Sequence, residues 1–334
     1  MEIFLLLIVF LPIFALIVAA NVIVDRSSQL GQRAFQVFLF LTNSLVLFAG
    51  MVLLVLPSTD LALSLEEMGF PLTNLDQIGL TIVLVAGWGM LVSLTPVRRL
   101  LARIIPLDPT SSVHTLALVL AGYLVSQGAL TLSQDGLLGL VESAQPASVA
   151  LVVSSALLFI ILAFLGVGLL IRRNGRSLTV RLGLSRPTLV HLASAGVIIV
   201  GLVILQAIAG AIWALLNPEQ AATLEEVNNL LLSDFDTLWE WMLLALASGI
   251  SEELLFRGAL QPVFGLGLTS VLFALLHVQY GFTPFMLVIL LLAVILGLVR
   301  RYFSTTVSII VHVGYNFVLG LIALLAAYVT QAAG

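Results

Sequence analysis

The sequence predicts an all-α, polytopic transmembrane helix bundle of about ten spans. Three observations lead there. The 334 residues are 61% hydrophobic and only 9% charged, whereas a soluble domain carries about 25% charged residues. Apolar stretches near the ~20 residues that a spanning helix needs recur along the whole chain. All thirteen basic residues are arginine, and they alternate with acidic residues from one connecting loop to the next.

The apolar stretches run roughly over 3–24, 35–56, 78–96, 112–131, 148–171, 190–216, 238–257, 267–281, 283–300 and 305–329. The first reads as an uncleaved helix. Its apolar run is too long for a signal peptide, and its start carries Glu2 in place of a basic residue. The eighth is short, and Pro284 marks either its end or a kink in the ninth. There is no cysteine, which excludes disulfides, thiol nucleophiles and thiolate metal sites.

The loops check the count independently. Arg26 and Arg33 follow the first stretch, Arg98, Arg99 and Arg103 the third, and Arg172, Arg173, Arg176, Arg181 and Arg186 the fifth. Arg257 ends the seventh, and Arg300 and Arg301 end the ninth. The intervening loops are purely acidic: Asp60, Glu66, Glu67 and Asp76, then Asp135 and Glu142, then Glu219, Glu225, Glu226, Asp234, Asp236 and Glu240. Under the positive-inside rule both termini are expected outside the cytoplasm. The Arg-rich loop 172–187 is a natural boundary between plain hydrophobic helices and helices with unusual residues. It divides the chain into an N-terminal five-helix extension, residues 1–175, and a C-terminal core, residues 180–330. The acidic loop 217–237 has room for a short interfacial helix.

Ionisable groups inside membrane segments are costly and mark function by default. Here they are few: Glu252, Glu253 and Arg257 on the seventh stretch, His277 on the eighth, and His312 with Asn316 on the tenth. Asn43 and Gln127, in the first half, read as hydrogen-bond partners between helices. Glu253 and Arg257 are four apart and can pair on one helix face. Glu252 is rotated about 100° away and finds no partner on its own helix, so it stays free to take a proton. His312 and Asn316 share a face, as do Phe273 and His277. Counting about 1.5 Å per residue from the helix ends puts Glu252 about 8 Å deep, His312 about 12 Å and His277 about 15 Å, so all three can meet. His114 and His191 sit near helix starts and receive no role.

These residues carry a resemblance. EELLFR (252–257), FALLH (273–277) and HVGYN (312–316) resemble, in order, the EExxxR, FxxxH and HxxxN motifs of the CPBP intramembrane proteases. That family includes the type II CAAX-prenyl endopeptidases and bacteriocin-immunity proteins. The RLGLSRP segment also looks like it, and the resemblance covers about residues 180–330. It implies an intramembrane endopeptidase. Glu252 would be the general base on a water that His277 orients, His312 and Asn316 would stabilise the oxyanion, and Glu253, Arg257 and Phe273 would support the site. If the enzyme uses a divalent metal such as zinc, Glu252, His277 and His312 are its candidate ligands, although no HExxH occurs. The implied partners are the lipid bilayer and a membrane-associated protein or peptide substrate, with no nucleic acid.

Three other readings compete. GISE (249–252) loosely matches the serine motif of rhomboid-type proteases, with Ser251 as nucleophile, but leaves Glu253, Arg257 and Asn316 unexplained. A proton-coupled transporter would use carboxylate and histidine at depth, yet the first half has no matching groups. A non-catalytic peptide-binding scaffold would have no need of the complete Glu, His, His, Asn set.

Overall fold

The computed structural model describes residues 2–55, 75–133, 146–281 and 283–333. The acidic positions Asp60, Glu66, Glu67, Asp135 and Glu142 lie outside these, as does the side chain of Gln127. Among the described residues the chain is helical and forms no strand. Seven helices are long and apolar enough to cross a membrane: Gln29–Val55, Leu75–Ser93, Val149–Gly166, Leu189–Leu216, Leu238–Leu275, Pro284–Tyr302 and Thr305–Thr330. Val9–Asp25 and Ser112–Ser126 are shorter apolar helices. All ten predicted stretches are thus helical over most of their length. The chain forms two compact units, residues 19–140 and residues 1–18 with 141–334.

In the first unit, α2 (Gln29–Val55), α3 (Leu75–Ser93) and α5 (Ser112–Ser133) pack side by side, with α4 (Thr95–Leu101) between α3 and α5; α1 (Glu2–Asp25) runs from one unit into the other. Small residues allow the approach, as lipid-embedded helices require. A Cβ added to Gly50 would meet Ile82 at 2.8 Å. Asn43 is buried, donates to Leu39 O on its own helix and accepts from Tyr123 OH at 3.3 Å across to α5. Arg98 is fully buried, and its guanidinium donates to Val92 O, Pro109 O and Thr95 Oγ1. Burial pulls its pKa down to about 10, against the opposing pull of Asp108.

The second unit carries every residue of the three motifs. Helices α6 (Val149–Gly166) and α13 (Thr305–Ala333) pack against α10 (Leu238–Glu253), and α8 (Leu189–Leu216) packs against α13. Helices α10 and α13 are antiparallel neighbours: Gly249 lies against Val313, where a Cβ would be 2.9 Å from the backbone nitrogen, and Gly320 lies under Trp241. From α10 the chain continues without a break into a π-helical turn, Leu254–Leu260, and then into α11, Gln261–Leu275.

This 38-residue helical run is folded back on itself. Gly265 has φ 73° and ψ 177°, a backbone conformation open essentially to glycine alone. The rings of Phe256 and Phe273 are 5.3 Å apart, whereas seventeen residues of straight helix would separate them by about 25 Å. The chain reverses at Gly265, and its two arms lie antiparallel. The second arm, 266–275, is only about 15 Å long. It ends one turn short of the predicted stretch, so His277 lies just beyond it, in a turn leading through a 3₁₀ segment at Val278–Tyr280 to α12, Pro284–Tyr302. Pro284 starts α12 instead of kinking it, a position where its missing N–H costs nothing. The acidic loop does hold a helix, α9 (Pro218–Leu231), which buries Leu224 and Val227 and packs against α8 and the Val278–Tyr280 turn.

Pro262 has no N–H to give to the turn before it, and the carbonyls there find other donors. Arg300 Nε donates to Arg257 O at 3.1 Å, and Arg181 donates from Nη1 to Gly258 O at 2.8 Å and from Nη2 to Ala259 O at 3.1 Å. Arg181 ends α7 (Gly175–Leu182), which stops at Gly183 in the left-handed conformation. The next residues dock on the start of α13: Leu182 O accepts from Thr305 Oγ1, and Gly183 O accepts from Thr305 N. Burial, then the charges of Arg173, Arg300 and Arg172, lower the Arg181 pKa to about 10, so it remains a cation at neutral pH. Replacing Arg181 with Ala leaves two carbonyls unpaired and should cost about 2 kcal/mol. Thermal unfolding in nanodiscs should show the drop, with Arg181→Lys recovering less than half because a lysine cannot fork to both oxygens.

Candidate active site

Glu253 is the centre of the polar cluster and is fully buried. Its Oε2 lies 3.4 Å from Arg257 Nε and accepts from Ser308 Oγ at 2.5 Å; its Oε1 is 3.1 Å from His312 Nδ1. An ionised carboxylate can only accept, so His312 donates from Nδ1 and turns its Nε2 away from Glu253. Ser308 shares the α13 face with His312, one turn earlier, and its oxygen also lies 3.1 Å from Leu296 O. Arg257 reaches across to Ala293 O at 3.3 Å with Nη2. Its Nη1 has no hydrogen-bond partner among the described residues.

Phe273 organises the apolar side of the cluster. It is fully buried, with the Arg257 guanidinium 4.5 Å above its ring. Around it stand Phe256, His277 at 4.8 Å and His312 at 5.9 Å between ring centroids. A cation over a desolvated ring face contributes about 2 kcal/mol. His277 keeps its Nδ1 on Phe273 O at 2.9 Å. Since a carbonyl only accepts, Nδ1 carries the proton and a neutral ring presents Nε2 as an acceptor. Tyr280 stacks on the His277 ring at 6.3 Å, and Phe285 stacks on Tyr280 at 6.0 Å.

Glu252 is half-buried on a different face of α10 from Glu253, and its Oε2 is buried without a hydrogen-bond partner among the described residues. Asn316 donates from Nδ2 to Ser248 Oγ at 2.9 Å, and Ser248 in turn donates to Leu244 O. Ser251 is buried and donates only to Ser248 O, a long 3.4 Å bond on its own helix. No base adjoins it, so the geometry gives no activated serine. Next to Asn316, Tyr315 donates to Gln206 Oε1 on α8.

The structure therefore brings together Glu253, Arg257, Phe273, His277 and His312, with Glu252 and Asn316 on the adjoining faces of α10 and α13. The residues that sequence reasoning missed are Ser308 and Ser248. Each had a faint signal: Ser308 is four before His312, and Ser248 four before Glu252. Among the described residues, no three His, Asp or Glu side chains form a group with metal-holding geometry. Both histidines hold Nδ1 on a protein partner, which leaves each Nε2 available. No step below is routed through a metal.

Comparison with known proteins bears on the same segment. Nothing among curated proteins or solved structures matches the chain. Residues 234–318 match a family model described as type II CAAX prenyl endopeptidase Rce1-like. The match takes in EELLFR, FALLH and HVGYN, the three motifs whose side chains gather around Phe273. This C-terminal segment of the chain is similar to the type II CAAX prenyl endopeptidase Rce1-like family.

Proposed function

We propose that the protein hydrolyses a peptide bond of a membrane-associated protein or peptide, with Glu252 as general base. The likeness of residues 234–318 to that family supports an intramembrane endopeptidase, and one geometric observation carries the assignment of roles. Of the two adjacent glutamates, Glu253 has both oxygens engaged, by His312, Arg257 and Ser308, while Glu252 keeps a buried oxygen without a hydrogen-bond partner among the described residues. Only the second is free to exchange a proton.

In the reaction, His277 Nε2 accepts one hydrogen of a water molecule and orients its oxygen. Glu252 takes the other proton as that oxygen bonds to the carbonyl carbon, and the C=O electron pair moves onto oxygen. His312 Nε2, in the doubly protonated ring, and Asn316 Nδ2 donate to that oxyanion. Glu252 then delivers the proton to the leaving nitrogen, the C–N bond breaks, and a carboxylic acid and an amine result. Under the positive-inside reading the site lies in the cytoplasmic half of the bilayer, with both termini outside.

The deciding experiment is peptidase activity of the full chain in nanodiscs, on quenched prenylated-peptide and pooled membrane-peptide substrates. Glu252→Gln should lower kcat about 10²–10⁴-fold, the range of a lost general base. A chelator should leave the wild-type rate unchanged. Activity that survives Glu252→Gln would sink the assignment, and loss to chelator would restore a metal. Proton uptake into proteoliposomes that depends on Glu252, with no hydrolysis, would favour a carrier.

A second prediction concerns Ser308. Its hydrogen bond to Glu253 positions the carboxylate that holds His312. Ser308→Ala should lower kcat about tenfold, the worth of one charge-assisted hydrogen bond, with KM unchanged. Ser308→Thr, which keeps the hydroxyl, should restore most of the rate. Equal loss in both variants would make Ser308 a packing residue.

A further inference from the structure

Below the Phe273 cluster, toward Gly265, lies a second polar layer that the proposed chemistry does not use. The two arms of the hairpin run antiparallel, so Arg257 faces Phe273 and, one turn further, Gln261 stands level with Thr269. The Arg257–Phe273 contact fixes this register. Both levels lean on the same face of α12: Arg257 donates to Ala293 O and Gln261 Nε2 to Gly297 O at 2.9 Å. Gly297, without a side chain, lets the hairpin approach α12 closely. A Cβ there would lie 2.3 Å from Leu266 Cδ1 and 3.2 Å from Gln261 Oε1.

Three buried polar atoms in these two layers have no hydrogen-bond partner among the described residues: Arg257 Nη1, Gln261 Oε1 and Thr269 Oγ1. Their residues are 1%, 9% and 1% exposed. A helical threonine ordinarily donates to the carbonyl four residues back, but Thr269 Oγ1 makes no such bond. In an apolar bundle, orphaned polar atoms this deep are expensive unless water pairs with them. A donor, an acceptor and a hydroxyl within two helical turns offer water the several polar partners it needs. The upper end of this layer adjoins the pair of glutamates, because Arg257 lies 3.4 Å from Glu253, the sequence neighbour of Glu252.

We propose that Arg257, Gln261 and Thr269 bind a file of water between the hairpin and α12, and that this file delivers the water consumed at Glu252. An intramembrane hydrolase needs such a store, since the surrounding lipid holds none. The water site rests on the hairpin geometry alone; its purpose rests on the hydrolytic reading above.

The test uses the full chain in nanodiscs. X-ray radiolysis in isotopically labelled water oxidises side chains beside bound water, and Leu266 and Phe273 border the file. Phe273, as buried as Leu118 of the other unit, should be labelled well above it. Thr269→Val, isosteric but without the hydroxyl, should remove most of that labelling, and Thr269→Ser should retain it. In the peptidase assay Thr269→Val should lower kcat about tenfold, equivalent to about 1.4 kcal/mol, with KM unchanged. Phe273 labelled no more than Leu118, together with a higher Tm for Thr269→Val, would show a dry site and overturn the proposal. Labelling lost while kcat stands unchanged would overturn the delivery role. The labelling decides the water site whether or not any peptide is cleaved, so its failure is separable from failure of the proposed function.

Discussion

A carboxylate and a guanidinium, Glu253 and Arg257, are buried four residues apart inside an apolar bundle, and neither can be there without the other. Leaving one such charge uncompensated costs several kcal/mol, about 3–5 in folded proteins. The pair's own separation is a loose 3.4 Å, so it does not complete the compensation alone. Ser308 and His312 occupy the carboxylate, while Ala293 O and the Phe273 ring face the guanidinium. Those partners come from α13, α12 and the second arm of the hairpin. Holding two charges out of lipid thereby fixes how four helical segments meet, and the candidate catalytic residues inherit their positions from that arrangement.

The backbone beneath the pair is shaped for the same end. In a π turn the hydrogen bond reaches five residues back, as Gln261 N does to Phe256 O, and such turns are frequent at functional sites. The wider turn carries Arg257 round toward Glu252 as well as Glu253. It also leaves carbonyls that Pro262 cannot satisfy. Arg181 and Arg300 close them from the charged end of the unit, which ties the RLGLS segment to the site. An arginine that sequence reading counts only as a topology marker is therefore a structural donor.

Gly265 decides the rest. Without its positive φ, the run from Leu238 to Leu275 would be one helix about 57 Å long, far more than a bilayer core of about 30 Å. With it, the short second arm brings Phe273 and His277 back beside Arg257. The irregular turn that follows meets its own needs, with His277 N on Ala274 O, Tyr280 N on His277 O and Thr283 Oγ1 on Tyr280 O. Helix α9 covers it. Backbone of this kind survives at membrane depth only where protein shields it.

The sequence by itself determined the helical class, because apolar runs of spanning length have no other stable form in lipid. It singled out the candidate site residues too. Ionisable groups are so costly in apolar helices that Glu252, Glu253, Arg257, His277, His312 and Asn316 stood out singly, and the four-residue spacings assigned them to faces. The tertiary structure alone decided which glutamate is engaged and which is free, since that depends on Ser308 and His312 of α13, more than fifty residues away. It alone produced the reversal at Gly265, because one glycine in an apolar run looks the same whether the helix continues or turns back. Ser308, Thr269 and Gln261 were silent for a related reason: small polar residues are ordinary in membrane helices, and only a neighbour brought by the fold gives them a role.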